Sequence, residues 1–375
     1  MSTALPETIQ AIVIGDHSAS VQSINFASEK HIQNLDANSI IVRVRAIGIN
    51  PTDWKHALGE WGKPGNVSGC DSAGDIVRIG SEVKHLQVGD RIAAFNTRGG
   101  TQPNNGAFAE YTTFDSALAF KIPEGMTYEE AASFPIPHYT AFQALHLRLN
   151  LPFPSSSPTP SSSNDKAQTI LIWGGSTAVG HHAVQLAHLA GVRVFVTASP
   201  DTHAHLKELG ADETFDYKDA DVVSKIQKAA GERGVTLALD TVVEKGSTEK
   251  IIDSIYSRGG KVITLLPISD EIAKRRAEVE LEFTLAYTLG GHELKFAQQI
   301  PFPANPSDHA GIREYLDKEL PLLLEGWKER AGSAKFKTQE LRKVEAGSWH
   351  EAVIKSFKIM QSGDYGRQKL VISVP

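Results

Sequence analysis

The chain has 375 residues, 38 Lys+Arg against 44 Asp+Glu, a formal net charge of −6 and a single cysteine, Cys70. That balance gives no electrostatic reason to expect nucleic acid or an anionic membrane surface as a partner. One cysteine excludes an intrachain disulfide and any zinc site built from two or more thiolates. With 41% hydrophobic and 22% charged residues, the composition is that of a folded soluble protein. At about 150 residues per domain the length suggests two or three domains. The opening residues lack a basic stretch followed by an apolar one, so no signal peptide is read and the cytoplasm is the expected location. No apolar run approaches the roughly 18 residues that would cross a bilayer.

Residues 1–125 read as strands and turns. Ile40 to Ile49 alternates apolar with charged residues, the period of a strand with one wet face. Gly74 to Gly80, Val88 to Phe95 and Ala107 to Tyr111 follow, separated by Gly, Asn and Pro. Short strands so punctuated suggest a β-barrel-like lobe. Thr127 to Asn150 reads as helical, with Thr127 and Glu130 spaced for a capping box. Pro135 and Pro137 are expected to break or kink that run. Pro152 to Asp165 is too rich in Pro and Ser to build a core and is read as an exposed, functionless insertion. From Thr169 strands and helices alternate: strand Ile170–Trp173, helix His181–Ala190, strand Val192–Ala198 and helix His203–Leu209, then strands Leu237–Asp240 and Lys261–Leu266. Apolar strands alternating with helices predict an α/β domain, a doubly wound parallel sheet covered on both faces. The tail, from about Ile300, ends in a helix, Glu351–Gln361, and a strand, Lys369–Val374. No internal repeat is present.

Chemistry concentrates at Gly174-Gly175-Ser176-Thr177-Ala178-Val179-Gly180, between a buried strand and a helix. Glycines there permit a tight bend and close approach to a pyrophosphate, and the helix N-terminus supplies unpaired N–H groups. Against G-x-G-x-x-G, Thr177 replaces the central glycine, but the strand–turn–helix–strand context is right. The next strand ends at Thr197-Ala198-Ser199-Pro200 with no acid, and His203 follows. An acid at that end would bind the ribose of NAD, so its absence favours NADPH, with Asp201 arguing the other way. The pair His181-His182 is expected on the surface of this helix rather than as a metal pair, since adjacent residues do not face one another.

These residues resemble the medium-chain dehydrogenase/reductase superfamily. The resemblance rests on Asn50-Pro51-Thr52-Asp53-Trp54-Lys55, Gly69 to Gly74, Val88 to Arg91, Gly106 to Tyr111, Gly174 to Gly180, Leu209 to Asp212 and Phe215 to Tyr217. It implies a GroES-like catalytic lobe at 1–125, a Rossmann domain at 126–298 and a C-terminal segment, 299–375, completing the first lobe. Within the superfamily the chain is most similar to zinc-independent quinone-reductase-like enzymes and to fungal trans-acting enoyl reductases that partner polyketide synthases. Zinc members carry Cys where this chain has Asn50 and His-Glu where it has Cys70-Asp71, so no metal is expected.

The resemblance also implies roles. Thr52, Lys55 and Thr140 would be catalytic, the first two against the nicotinamide in the loop after the first lobe's strand. Gly174, Gly175, Ser176, Thr177 and Val179 would hold the pyrophosphate, and Ser199, His203 and Tyr217 the adenosine 2′-phosphate. Leu265 and Leu266 would flank the nicotinamide, and Lys369 and Leu370 would close over the cofactor. Tyr139, Thr140, Tyr287 and Thr288 would line the substrate pocket, Gly290 beside them. His138 is expected to be a buried neutral histidine. The implied activity is NADPH-dependent hydride transfer to an activated C=C. A quinone or small-enal reductase, and a non-catalytic NADPH-binding protein, are the alternatives. A monomer or a homodimer fits equally.

Overall fold

The computed structural model describes residues 4–59, 61–101, 105–153, 168–327 and 336–375. Most of the Pro- and Ser-rich stretch expected as an insertion, 154–165, lies outside the described residues. The chain forms two compact units: Met1–Ile136 with Tyr287–Pro375, and Pro137–Ala286. The units thus divide at Ile136 and Ala286 rather than at 125 and 298.

The first unit contains β1 (Thr8–Ile14), β2 (Ala19–Asn25), β3 (Ser39–Gly48), β4 (Asp71–Ile79), β5 (Arg91–Phe95), β6 (Tyr111–Asp115) and β7 (Ala119–Lys121). The second contains β8 (Thr169–Trp173), β9 (Arg193–Ala198), β10 (Glu213–Asp216), β11 (Leu237–Asp240), β12 (Gly260–Thr264) and β13 (Val279–Phe283). The chain then returns to the first unit with β14 (Leu294–Phe296), β15 (Ile300–Phe302), β16 (Leu341–Lys343) and β17 (Lys369–Ser373).

The second unit is a parallel sheet in the order β10-β9-β8-β11-β12-β13. Strand order reverses between β8 and β11, where open α/β sheets place their ligands. Leu171, Phe195, Ala238 and Val262 form its core with Ile226, Ile251 and Ile252, from the helices Val222–Ala230 and Ser247–Ser254.

In the first unit the main sheet runs β16-β17-β3-β4-β5-β7, with β6 also on β3. Strand β17, from the end of the chain, pairs antiparallel with β3, Val371 opposite Gly48 and Ser373 opposite Ala46. Val42, Val44, Ile92, Phe108, Phe357 and Leu370 share its core. Among the described residues, no helix is long and apolar enough to cross a membrane.

Several elements differ from expectation for local reasons. Thr52 and Lys55 stand on a helix, Pro51–Leu58, not in a loop. Asn50 precedes it, Pro51 begins it, and Asp53 Oδ2 accepts the Asn50 backbone N–H at 2.7 Å, a helix-start pattern. The expected strand Ala107–Tyr111 slides to β6, Tyr111–Asp115. Pro135 does not break a helix; it opens one, Pro135–Phe142, and Pro137 falls in the first turn, where no N–H is needed. The Thr127 capping box does form, with Glu130 Oε2 accepting the Thr127 N–H at 2.8 Å.

The capped helix Tyr128–Ala132 lies against the first unit's sheet. Gly48 makes that approach possible, because a Cβ there would stand 2.0 Å from the Ala132 carbonyl oxygen. Backbone on both sides leaves little to yield, and overpacking typically costs about 1–3 kcal/mol. Gly48→Ala is therefore expected to lower the thermal midpoint by several degrees, read by differential scanning calorimetry. An unchanged midpoint would show that the helix can lift off.

Candidate active site

The turn after β8 is built for a phosphate-bearing ligand. Gly174 has φ +86°, and a Cβ on Gly175 would lie 2.1 Å from Val196. Thr177 caps the helix Ala178–Leu189, its hydroxyl accepting the Gly180 N–H at 2.9 Å. The same hydroxyl meets Thr241 Oγ1 at 2.9 Å, and Thr241 donates to the Trp173 carbonyl at 2.7 Å. The threonine at the central glycine position is thus tied to the end of β11. Asp240 organises that end: its carboxylate accepts the Val242 and Val243 N–H groups and the Ser247 and Thr248 hydroxyls. Asp240 and Thr241 were missed in the sequence, where only an acid ending a short apolar strand hinted at them.

The helix N-terminus has no acid in its first turn, so its dipole is available to an anion. Ser176 Oγ donates to Thr202 Oγ1 at 3.1 Å, and Val179 is half-buried. After β9, Ser199 is half-buried, and the His203 ring nitrogen Nε2 lies 3.1 Å from the Ala198 carbonyl. Tyr217 is exposed after β10, its carbonyl accepting from Lys250 Nζ at 3.2 Å. Leu265 and Leu266 follow β12, half-buried, with the Leu266 carbonyl accepting from Thr264 Oγ1 at 3.0 Å. Glycine cradle, helix end and small hydroxyls together fit a dinucleotide.

His181 and His182 are not on the helix surface. Both are buried, because nearly the whole helix from Gly180 to Ala187 is enclosed. His182 Nδ1 lies 3.1 Å from His138 Nδ1, and the His181 ring stacks on His205. Burial pushes the His138 imidazole down to about 3, so it is neutral. Tyr139 is fully enclosed and Thr140 is 8% exposed.

In the first unit, the helix start at Asn50 anchors a buried polar cluster. Asn50 Nδ2 donates to Asp71 Oδ2 at 2.8 Å, and Lys369 Nζ donates to Asn50 Oδ1 at 2.5 Å. Lys369 Nζ also stands 3.9 Å from Asp71 Oδ2. The Ile136 N–H points at both Asp71 oxygens, 3.1 Å from each. Burial pushes the Asp53 carboxyl up to about 6 against the Asn50 N–H and the Lys369 charge. Burial likewise pushes Asp71 up to about 7, and it lowers Lys369 against the pull of both carboxylates. Two carboxyls face one ammonium, so a proton is retained more readily than in water. Lys369 and Leu370, expected over the cofactor, are engaged here and in the core: the amine in this cluster, the leucine in the packing.

Beside the cluster stands a chain of hydroxyls. Tyr287 OH lies 2.8 Å from Thr52 Oγ1 and 3.1 Å from Cys70 Sγ. Burial holds the phenol far above its ordinary value, so it stays protonated. His56 Nδ1 is 2.8 Å from the Thr52 carbonyl and 3.1 Å from Thr52 Oγ1. A carbonyl only accepts, so Nδ1 carries the hydrogen, and burial keeps the ring neutral. Lys55 is half-buried, its Nζ 4.9 Å from the centre of the Trp61 ring. Tyr287, His56, Trp61 and Phe296 line a cavity of about 340 Å³. Thr288 is turned elsewhere, donating to Asp308 Oδ2 at 2.5 Å.

Comparison with known proteins bears on this geometry. The model for the alcohol dehydrogenase GroES-like domain matches residues 36–124, and that for the zinc-binding dehydrogenase matches 178–276. The trans-enoyl reductase mpsG of Macrophomina phaseolina is 31% identical over 353 residues, covering 93% of this chain and 94% of its own. The chain belongs to the medium-chain dehydrogenase/reductase superfamily, in its enoyl-reductase type. The fold agrees with solved structures. A putative zinc-dependent alcohol dehydrogenase protein from Rhizobium etli aligns with TM-score 0.77 at 22% identity over 99% of both chains. The CurK enoyl reductase aligns with TM-score 0.69 at 19% identity, over 99% of this chain and 100% of that one. The superfamily consists of oxidoreductases whose Rossmann domain binds a nicotinamide cofactor.

The superfamily also includes zinc enzymes, which raises the question of fit. At Asn50 and Asp71 the donors face a lysine ammonium, a cation already in the place where a metal would need their lone pairs. Among the described residues, no group of three or more His, Cys, Asp or Glu side chains is set to hold a metal ion. The donor set present does not fit zinc.

The cluster makes a pH prediction. A carboxyl raised from 3.8 to about 6 by folding stabilises the fold in its protonated form. That contribution is complete below the unfolded value and is lost as pH rises through about 6, a difference of about 3 kcal/mol. Asn at position 53 retains an oxygen for the Asn50 N–H. In thermal melts between about pH 4 and 7, Asp53→Asn is expected to show a shallower downward trend than the parent, with the part due to Asp71, raised to about 7, remaining; parallel profiles for variant and parent would refute the assignment.

Proposed function

We propose that the chain is an NADPH-dependent oxidoreductase that reduces an activated C=C of an enoyl or enone substrate without a metal, in secondary metabolism. The single observation that carries this is the Thr52–Tyr287 hydroxyl pair, 2.8 Å apart, with Tyr287 on the wall of a cavity, near a buried ammonium held by Asn50, the position where zinc members carry a cysteine. The likeness to mpsG, a trans-enoyl reductase, supports the same substrate class, and by that likeness a polyketide synthase is the proposed partner. The cytoplasm is the proposed location.

When bound, the reduced nicotinamide supplies the hydride. The chain's own residues handle the charge that follows. Hydride addition to the β-carbon leaves negative charge on the conjugated carbonyl oxygen, which a preorganised donor stabilises. Thr52, Lys55 and Thr140 are the proposed donors, and a proton at the α-carbon completes the reduction. Tyr287 acts as a positioning residue: its phenol, held by Cys70, fixes the Thr52 hydroxyl. Tyr139 and Thr288 are proposed to shape the pocket through packing.

Tyr287→Phe removes the phenol's hydrogen bonds to Thr52 and Cys70; the loss of the one that positions Thr52 should lower kcat with an enoyl thioester about tenfold. Cofactor affinity should not change, and Tyr287→His, which restores a hydrogen-bonding group, should recover part of the loss. Equal losses in all substitutions at this position would reduce Tyr287 to packing. The reading itself is tested by NADPH oxidation with a panel of enoyl thioesters, enals and quinones. Preference for quinones would replace it with a detoxifying reductase; tight NADPH binding without any turnover would replace it with a binding protein.

The choice of NADPH is supported by the end of β9, which offers Ala198 and Ser199 but no acid. Ser199, His203 and Tyr217 are the proposed contacts of the 2′-phosphate. His203 shares its ring with the Ala198 carbonyl, so its contribution should be modest. His203→Ala is expected to weaken NADPH several-fold more than NADH in fluorescence titrations; equal effects would discard the residue from that site.

A further inference from the structure

A second cavity lies in the first unit, about 630 Å³ in volume, within the range of small-molecule sites. Its walls come from residues 35–39, the end of β5, β6, the segment Gly290–His292 and the start of the helix Pro306–Lys318. We propose that it binds a chain bearing amide or hydroxyl groups, the part of an enoyl thioester that extends beyond the reacting double bond. This rests on the reductase reading above and adds to it the chemistry of the rest of the substrate.

The argument begins with unused hydrogen-bonding groups. Thr97 and Thr113 are only 8% and 7% exposed, yet among the described residues neither hydroxyl has a hydrogen-bond partner. Both line the cavity. Asn105 Oδ1 accepts from Asn96 Nδ2 at 2.9 Å, which leaves its NH₂ without a partner among the described residues. His292 Nδ1 lies 2.9 Å from the Gly290 carbonyl, so Nδ1 carries the hydrogen, and Nε2 has no partner among the described residues. These groups open onto the cavity, so a ligand there can replace water as their hydrogen-bond partner.

Besides His292, the charged or titratable side chains lining the cavity among the described residues are Asp115 and His309, which pair, half-buried Arg98, and Asp36, which is exposed. His309 Nε2 and Asp115 Oδ2 are 2.9 Å apart, and that contact raises the His309 pKa. Beside them the wall offers a ligand two hydroxyls, an amide and a ring nitrogen. The smaller cavity beside Thr52 is different in kind, with Trp61 and Phe296 edge to face at 4.8 Å. The two cavities share Thr97 and His292, and Phe95 of the larger packs on the Tyr287 ring of the smaller at 5.4 Å. An apolar enoyl end suits the aromatic cavity, and a polar remainder suits the larger one. That remainder has two chemical sources, the amide-bearing arm on the thioester sulfur or a hydroxylated far end of the acyl chain.

The test compares the parent protein with a Thr113→Val, Asn105→Ala double variant. Valine keeps the shape and strand preference of threonine; Asn105→Ala also gives up the acceptor of Asn96 Nδ2, and because each ratio is taken within one protein, a general loss of activity cancels. Three substrates are used: crotonyl ethyl thioester, crotonyl pantetheine, and the ethyl thioester of a terminally hydroxylated octenoyl chain. The ratio of kcat/KM for one polar-extended substrate to that of the crotonyl ethyl thioester should fall about tenfold in the variant. A fall confined to pantetheine assigns the cavity to the arm, and one confined to the hydroxylated chain assigns it to the acyl end. Unchanged ratios for both overturn the proposal. If the parent reduces none of the three, the reductase reading fails, and the cavity is then judged by calorimetric titration with pantetheine and the hydroxylated thioester. Binding that weakens about tenfold in the variant supports the proposal; no binding of either to the parent overturns it.

Discussion

A lysine ammonium with 4% of its surface exposed is the constraint on which the first unit turns. Lys369 begins β17, and its Nζ reaches Asn50 at the end of the β3 segment and Asp71 at the start of β4. Three distant stretches of chain therefore meet at one charge. Leaving any member unpaired would strand a charge in a dry site, at a cost of about 3–5 kcal/mol. The ladder of β17 on β3 gives the C-terminal segment its direction, and the ammonium gives it a register. A strand shifted by one residue would send Lys369 to the opposite face.

The same charge bears on chemistry. In this superfamily a cation at the first lobe can polarise a substrate oxygen; here the cation is tethered, hydrogen-bonded and enclosed. An ammonium has no vacant orbital for a lone pair, so it cannot stand in for a Lewis-acidic metal; it can only donate hydrogen bonds, as it does to Asn50. In the proposed reaction the developing oxyanion is met instead by Thr52, Lys55 and Thr140, with the Tyr287 phenol positioning the Thr52 hydroxyl. Cys70 lends its sulfur to this chain rather than to a metal. Its thiol is pushed well above the ordinary range by burial and by the two neighbouring carboxylates, which leaves it a hydrogen-bonding group and not a nucleophile.

Much of this was legible in the residues, and the losses have physical causes. Strand β11 was read residue for residue, since Leu237–Asp240 is apolar, short and bounded by turn residues. The glycine turn was legible because only small residues tolerate that backbone. The helix Pro51–Leu58 was missed although Asn50, Pro51 and Asp53 spell a helix start; an eight-residue helix shows too little periodicity to announce itself. The burial of His181 and His182 was misjudged because a helix enclosed on nearly all sides has no polar stripe to read. The roles of Lys369 and Leu370 were beyond sequence pattern, since their partners lie more than three hundred positions away, joined by the β17–β3 pairing.

The replacement of the central glycine by Thr177 shows how a departure from a motif can be compensated. A glycine there normally clears room for the ligand's phosphates. Thr177 instead turns its hydroxyl inward, where it serves the Gly180 N–H and Thr241 at 2.9 Å each. The side chain becomes part of the turn's own scaffold, and the N–H groups of the helix end keep their outward role. Asp240 holds the facing loop by four hydrogen bonds, which lets Val243 and Lys245 adopt positive φ angles of 54° and 55°. The strain of the loop after β11 is therefore carried by one carboxylate at the reversal of the sheet, and the geometry of the nucleotide turn depends on it through Thr241.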